Sequence, residues 1–409
     1  MTGTTDSVRN IIIIGGGIIG CSTAYYLTRH PAFQPSRIDI TLIEASVHGA
    51  AQGASGKAGG LVAKWAYPKE LVGVSFSEHV KLAEEHNGAE RWGWRYVSTG
   101  SWEGRGERVP DSDPAGVPKN HTREKSLEKT PGLATGRKGT AKRKLPEDLL
   151  WVKETLTQAY SPMAPAGATA QVHPYLFTTS ILELAKEKGA AFTSGTVTSI
   201  LESGGAVTGV QYIASGQSAM QTLPATDVIV CAGAWSPTLV AELPIAATRA
   251  HSVVIRTAPG VDIAPYVLFT EITGTGNDVV TPEIYARPDG TVYACGPGDD
   301  SPLPLNVDDV PVDTAACERL LRNVSAISPE LRAGAVEARQ ACFLPVASVG
   351  GGPIIGAAPQ IAKGVFVATG HTCWGISNAP GTAKAMAELV MDGKIRCADL
   401  RKLQPSKFF

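Results

Sequence analysis

The 409-residue sequence has no CxxC pair, no long uninterrupted apolar run and no excess of charge of either sign. Its seven cysteines (Cys21, Cys231, Cys295, Cys317, Cys342, Cys373 and Cys397) are scattered and odd in number. That argues against a disulfide framework or a zinc site and predicts a reducing compartment. With 37 basic against 38 acidic residues the net charge is -1, so no global field would recruit nucleic acid or an anionic membrane. A small molecule is the expected partner. The first ten residues lack the basic and apolar regions of a signal peptide, and the apolar run after them is broken by glycines well short of a membrane span. A soluble, cytoplasmic protein is therefore expected. Ser406-Lys407-Phe408 stands one residue too early, with the wrong last residue, for a peroxisomal address.

The chain is long enough for two or three lobes. Val8 to Ile14 ends in the apolar run Ile11–Ile14 and is followed by GGGIIG and an apolar helical stretch from Ile18 to Leu27. This is a strand, a turn and a helix. A second strand is predicted at Ile38 to Ile43, which completes a right-handed βαβ unit. Between Glu103 and Asp148, glycine, proline and eleven basic and eight acidic side chains replace apolar periodicity. Such a stretch cannot bury enough surface to offset its ordering entropy, so it is expected to be a solvated insertion at 103–149, placed to act as a lid. A helix is predicted at Tyr175 to Lys188, with strands at Gly195 to Leu201, Val207 to Ile213 and Val228 to Cys231. IYARPDGTVYACG reads as a hairpin turning at Pro288-Asp289-Gly290, within an antiparallel region. A strand at Gly364 to Ala368 and a helix from about Ile376 to Met391 close the pattern.

Gly15, Gly17 and Gly20 occupy the positions of a GxGxxG turn. Glycines there let the backbone approach a pyrophosphate, and the helix N-terminus adds unpaired N–H groups and a positive dipole end. Glu44, at the end of the second strand, lies 24 positions after Gly20. A carboxylate about 20 residues on can accept both ribose hydroxyls of a dinucleotide. These features do not by themselves separate NAD from FAD.

Three later segments, GASGKAGG (53–60), VIVCAGAW (228–235) and ATGHTCWG (368–375), resemble in this order the D-amino-acid-oxidase-like family of FAD amine oxidases, most closely its fungal Tda3-like branch. The resemblance implies an α/β fold: a Rossmann-type FAD-binding domain and a second, mainly antiparallel-sheet substrate domain. On that division 1–65, 150–248 and 335–409 form the discontinuous FAD-binding domain, and 66–102 with 249–334 the substrate domain. FAD would be held by Gly15, Gly17, Ile18, Ile19 and Gly20 on the pyrophosphate, and by Glu44, Ala45 and Ser46 on the adenosine ribose. Ala54, Ser55 and Gly56 would also approach the pyrophosphate side, Lys57 would count among the cofactor contacts, Gly59, Gly60 and Leu61 would pass along the isoalloxazine, and Val197 would meet adenine. Cys231, Ala232, Gly233 and Trp235 would back the dinucleotide. Gly356, Gly370, His371, Trp374, Gly375 and Ile376 would wrap the pyrimidine end. There the closing helix would point its positive end at the charge of reduced flavin.

The candidate catalytic residues are His371, Lys57 and Trp374. His371 would donate to the flavin or steer substrate, or else serve as a turn histidine. Lys57 would reach ring or substrate, or else be an exposed loop lysine. Trp374 reads chiefly as a packing wall. The expected reaction is oxidation of a small amine or amino-acid-like C–N bond by hydride transfer to flavin N5. A dehydrogenase with a non-oxygen acceptor, or a flavin-binding regulatory or trafficking factor with vestigial catalysis, stands as the alternative. In glycine-oxidase-like relatives the segment matching ACFLPVASVGGGPIIG carries a carboxylate-binding arginine before the proline; here Leu344 precedes Pro345. Leucine cannot make a bidentate clamp, so Arg249, Arg287 or Arg339 would have to take over. Cys342 lies near the position where sarcosine-oxidase-like relatives attach flavin covalently. Non-covalent FAD is the leading expectation and a Cys342 thioether the alternative. Tyr67, Tyr285 and Tyr293 would line the pocket between the domains.

Overall fold

The computed structural model describes residues 8–109, 144–276 and 278–409. Its first layer is an eight-stranded sheet with a parallel centre. In spatial order that centre runs Ala190–Ser203, Ile38–Glu44, Arg9–Ile14, Asp227–Val230 and Val365–Thr369. The apolar run in the Arg9–Ile14 strand follows from burial on both faces. Ile11 and Ile13 pack into one core, and Ile12 and Ile14 into another on the opposite side. The helices Ile18–Thr28, Pro174–Lys186 and Gly375–Asp392 cover the first of these faces. Every element predicted around the glycine turn is present, with ends shifted by a residue or two.

The second sheet is mainly antiparallel. It runs Ala335–Ala347, Ile245–Arg256, Thr291–Asp299, Glu283–Ala286, Tyr266–Thr273, Ser98–Arg105 and Thr157–Pro162, with one parallel pair between Tyr266–Thr273 and Ser98–Arg105. The predicted hairpin is seen, with Glu283 opposite Cys295 and Tyr285 opposite Tyr293.

Several boundaries differ from the expected division, because strands remote in sequence complete this sheet. Thr157–Pro162 and Ala335–Ala347, grouped by sequence with the nucleotide half, are strands of the second sheet, which also begins four residues earlier than expected, at Ile245. Conversely, the helix Lys69–Glu85, grouped with the substrate half, packs on the closing helix in the first core. Its apolar stripe, Leu71, Phe76 and Leu82, is too short a signal to say which half it joins. The 103–149 insertion also starts later than expected. Glu103 to Arg105 complete a strand, and Leu145 and Leu149 are buried in the second core. The lid expected of its middle lies outside the described residues. Among the described residues no helix is long and apolar enough to cross a membrane.

Candidate functional site

A cleft of about 1760 Å³, open mouth included, runs between the two sheets. Gly15, Gly17, Ile18 and Ile19 form one wall. Gly15 sits at φ +110°, and a Cβ there would lie 2.5 Å from the Cys231 carbonyl oxygen, so neither the dihedral nor the space admits a side chain. A Cβ on Gly20 would collide with the Gly15 carbonyl; that glycine permits the turn to fold against its own helix and does not line the cleft. The Ser55 hydroxyl accepts from the Ile18 N–H at 2.9 Å, which ties the second glycine-rich loop to the start of the helix.

Glu44 is buried at the end of its strand. Gly16 N–H donates to Oε2 at 2.5 Å and Ser46 N–H to Oε1 at 2.9 Å, so backbone donors fix both oxygens at the cleft rim. Burial pushes this carboxyl above its ordinary value, while the two N–H donors act the other way. Ala45 lines the cleft; Ser46 turns aside and donates to Asp308 Oδ1 at 2.6 Å.

Ala54, Ser55, Lys57, Gly59, Gly60 and Leu61 follow along the cleft floor. A Cβ on Gly59 would stand 2.8 Å from the Tyr285 ring, so the absence of a side chain sets how closely the two halves meet. Gly56 lies behind this loop, where a Cβ would strike the Ala51 carbonyl. Lys57 is not a free loop lysine: its Nζ donates to the Ala341 carbonyl at 3.1 Å and bridges the loop to the second sheet. Val197, Cys231, Ala232, Gly233, Trp235 and Cys342 also line the cleft.

At the far end, His371, Trp374, Gly375 and Ile376 line the cleft where the closing helix begins. His371 lines the cleft and its ring meets a side chain of the closing helix. Its Nε2 lies 3.0 Å from Thr382 Oγ1, and burial lowers its pKa to about 3, so the ring is neutral near pH 7. His79 supports the same helix start, with Nε2 2.9 Å from the Ile376 carbonyl oxygen. Trp374 stands edge-on to Trp65, with centroids 5.7 Å apart, as a packing wall should. Gly370 and Gly356 do not reach the cleft: Gly370 forms the turn at φ +80°, and Gly356 packs against Pro405.

Tyr285 and Tyr293 line the cleft as expected, whereas Tyr67 packs behind it and its carbonyl accepts from Asn378 Nδ2. None of the three arginines proposed as a substitute clamp lines it. Arg249 is paired with Asp299 and Arg339 with Glu318, while Arg287 is buried, donates to the Ala58 carbonyl and lies over the Tyr293 ring. Sequence reasoning missed the segment carrying Leu305 and Val307, which crosses the cleft mouth. Trp235 Nε1 donates to the Pro304 carbonyl at 2.8 Å on one side of it, and Asp308 accepts from Ser46 and the Val47 N–H on the other. No local pattern marks it, since its partners lie tens to hundreds of residues away.

A glycine turn, a helix start and a strand-end carboxylate on one cleft describe a dinucleotide-dependent oxidoreductase. The chain belongs to the FAD dependent oxidoreductase family, whose profile matches residues 10–389. It is 31% identical to TDA3 of Saccharomyces cerevisiae over 99% of this chain and 96% of that protein. Its fold is shared with iminodiacetate oxidase from Chelativorans sp. BNC1 (TM-score 0.68, 21% identity, 97% of this chain and 98% of that one). Glycine oxidase from Geobacillus kaustophilus is similar to the same extent (TM-score 0.68, 19% identity, 97% and 98%).

Proposed function

We propose that this protein oxidises a C–N bond of a small amine, with FAD held non-covalently along the cleft. The observation that carries the proposal is the continuity of that cleft: the glycine turn, Glu44, the Gly59–Leu61 loop and the start of the closing helix lie along one cavity whose remaining wall is the second sheet. The residues present fit the cofactor. Gly15 and Gly17 let the turn close against Cys231 and Ser55 where a Cβ would collide or crowd, the helix start offers N–H groups to a pyrophosphate, and Glu44 is held by two backbone donors with lone pairs left for ribose hydroxyls. Bound FAD supplies the two-electron acceptor that no side chain provides.

The chain's own residues bind and orient. Gly59, Gly60 and Leu61 would pass along the ring, and the closing helix would aim its positive end at the pyrimidine side. Neutral His371 would hold the turn that places Trp374. Tyr285, Tyr293 and Trp374 would exclude water from the substrate side. A substrate bound as the neutral amine needs no side-chain base; Lys57, the cation on the floor, is held by the Ala341 carbonyl.

The test is direct. Purified protein should carry an oxidised flavin spectrum, and anaerobic addition of an amine from a broad panel should bleach it. Reoxidation on admitting air would mark an oxidase; slow reoxidation would mark a dehydrogenase. A flavin that no amine or amino acid bleaches would overturn the proposal.

A further inference from the structure

Residues 300–310 leave the second half of the molecule at the end of the strand Thr291–Asp299 and return to it before the helix Thr314–Ser325. One side chain ties both feet of this segment. Arg249 donates through Nε and Nη2 to the Asp299 carboxylate and through Nη1 to the Pro311 carbonyl at 3.1 Å. Just beyond, the Asp313 N–H donates to His251 Nε2 at 2.9 Å. A loop of this length with its ends pinned together is a compact Ω-loop, a form frequently found at functional sites.

Three contacts tie its tip to the other half. Trp235 Nε1 donates to the Pro304 carbonyl at 2.8 Å. Val307 is buried over Gly53, where a Cβ would stand 3.6 Å from the valine Cγ2. The Asp308 carboxylate accepts from the Ser46 hydroxyl at 2.6 Å and the Val47 N–H at 3.0 Å. Ser46 follows the strand Ile38–Glu44 and Trp235 follows Asp227–Val230, the two neighbours of Arg9–Ile14 in the first sheet. A segment bonded to both therefore spans the glycine turn, at the carboxyl ends of the strands where a dinucleotide lies. Between the two anchors Leu305 lines the cleft while 97% exposed. One buried apolar side chain and three hydrogen bonds make a light attachment, of the kind that opens without unfolding the core.

We propose that residues 300–310 are a flap over the adenosine half of FAD, latched by Asp308 to Ser46 and Val47 and hinged where Arg249 holds its feet. With the flap shut, Leu305 and Val307 cover the adenosine, and FAD enters or leaves when Asp308 lets go. Arg249 is then a hinge and not a substrate clamp. The proposal rests on FAD lying along the cleft with its ribose at Glu44, and is independent of the reaction that FAD performs.

The experiment follows FAD release from the oxidised holoprotein by the rise in flavin fluorescence after dilution. Asp308→Ala, which loses both latch bonds, should release FAD roughly tenfold faster than wild type. Ser46→Ala loses one bond and should act less, and the double variant should be no faster than Asp308→Ala, because both changes open one latch. Arg249→Gln should also speed release, although Arg249 does not line the cleft. The visible spectrum and midpoint potential of flavin bound to Asp308→Ala should match the wild type, since the ring lies at the other end; a general loosening of the fold would move both. Release by Asp308→Ala at the wild-type rate, or faster release with an altered flavin spectrum, would overturn the proposal, and release by Arg249→Gln at the wild-type rate would overturn the hinge. Should Asp308→Ala be isolated without flavin, Asp308→Asn, which keeps one acceptor oxygen, carries the comparison. Wild-type protein that takes up no FAD would reject the reading of the cleft together with the flap. Bound flavin whose release is indifferent to Asp308 would reject the flap and leave that reading standing.

Discussion

The two sides of the cleft are built in different ways. The nucleotide side is made of backbone: glycines with no room for a Cβ, N–H groups on Glu44, and two loops joined by the Ser55 hydroxyl. The substrate side is made of side chains from separate strands, where Tyr285, Tyr293 and Cys295 meet by register. A backbone cradle tolerates almost no substitution, because main-chain atoms cannot move aside. A side-chain wall can be rebuilt, which allows one cofactor frame to serve different substrates.

The sharpest way to break this contrast is Gly15→Ala. The new Cβ meets the Cys231 carbonyl in a backbone conformation that alanine avoids, so a loss on the order of 3 kcal/mol is expected. Flavin content and melting temperature should both fall. A variant with normal flavin and stability would show that the cradle is as adaptable as the wall.

Glu44→Gln keeps the shape but replaces one acceptor oxygen with an amide that cannot accept from the Gly16 or Ser46 N–H. Leaving a buried donor unpaired costs about 1–3 kcal/mol, so FAD affinity measured by fluorescence titration should drop roughly ten- to hundredfold. An unchanged affinity would place the ribose elsewhere.

Acid should loosen the cradle. Burial lowers His371 to about 3 and His79 to about 4, against 6.5 for the free side chain. The unfolded chain therefore binds the extra protons first. Stability that is fully present above pH 6.5 is lost as pH falls toward these folded values, by roughly 1–2 kcal/mol for each ring between pH 7 and 5. Urea midpoints should fall across that window, and His79→Gln should flatten its share of the slope. Both rings support the start of the closing helix, so flavin release should accompany the loss.

The smallest effect is expected at the edge of the wall. Cys342→Ser should leave flavin content unchanged, and acid precipitation of the wild type should leave all yellow colour in the supernatant. Colour retained in the pellet of the wild type and lost in the variant would establish a thioether and make Cys342 part of the cradle.

The legible parts of the site share a physical property. Gly15, Gly17 and Glu44 were readable because a close backbone approach and a strand-end acid each require a residue type at a set spacing. Leu305 and Val307 gave no such sign, since their place at the cleft depends on contacts with Trp235 and Ser46 that form only after folding. The same cause moved the boundaries. Thr157–Pro162 and Ala335–Ala347 look like any short alternating runs, and their sheet is chosen by partners far along the chain. Sequence periodicity reports which face a strand buries but not which neighbour it has.

By itself, the amino-acid sequence determined the glycine turn, the acid that follows it and the run of elements between them, because local backbone geometry leaves few residues able to form them. Only the tertiary structure decided what faces the cleft from the other side. It tied Arg249 to Asp299, turned Lys57 to Ala341 and set Tyr285 opposite Tyr293. Those are contacts across sheets and loops, set by packing of the whole chain and carried by no local pattern.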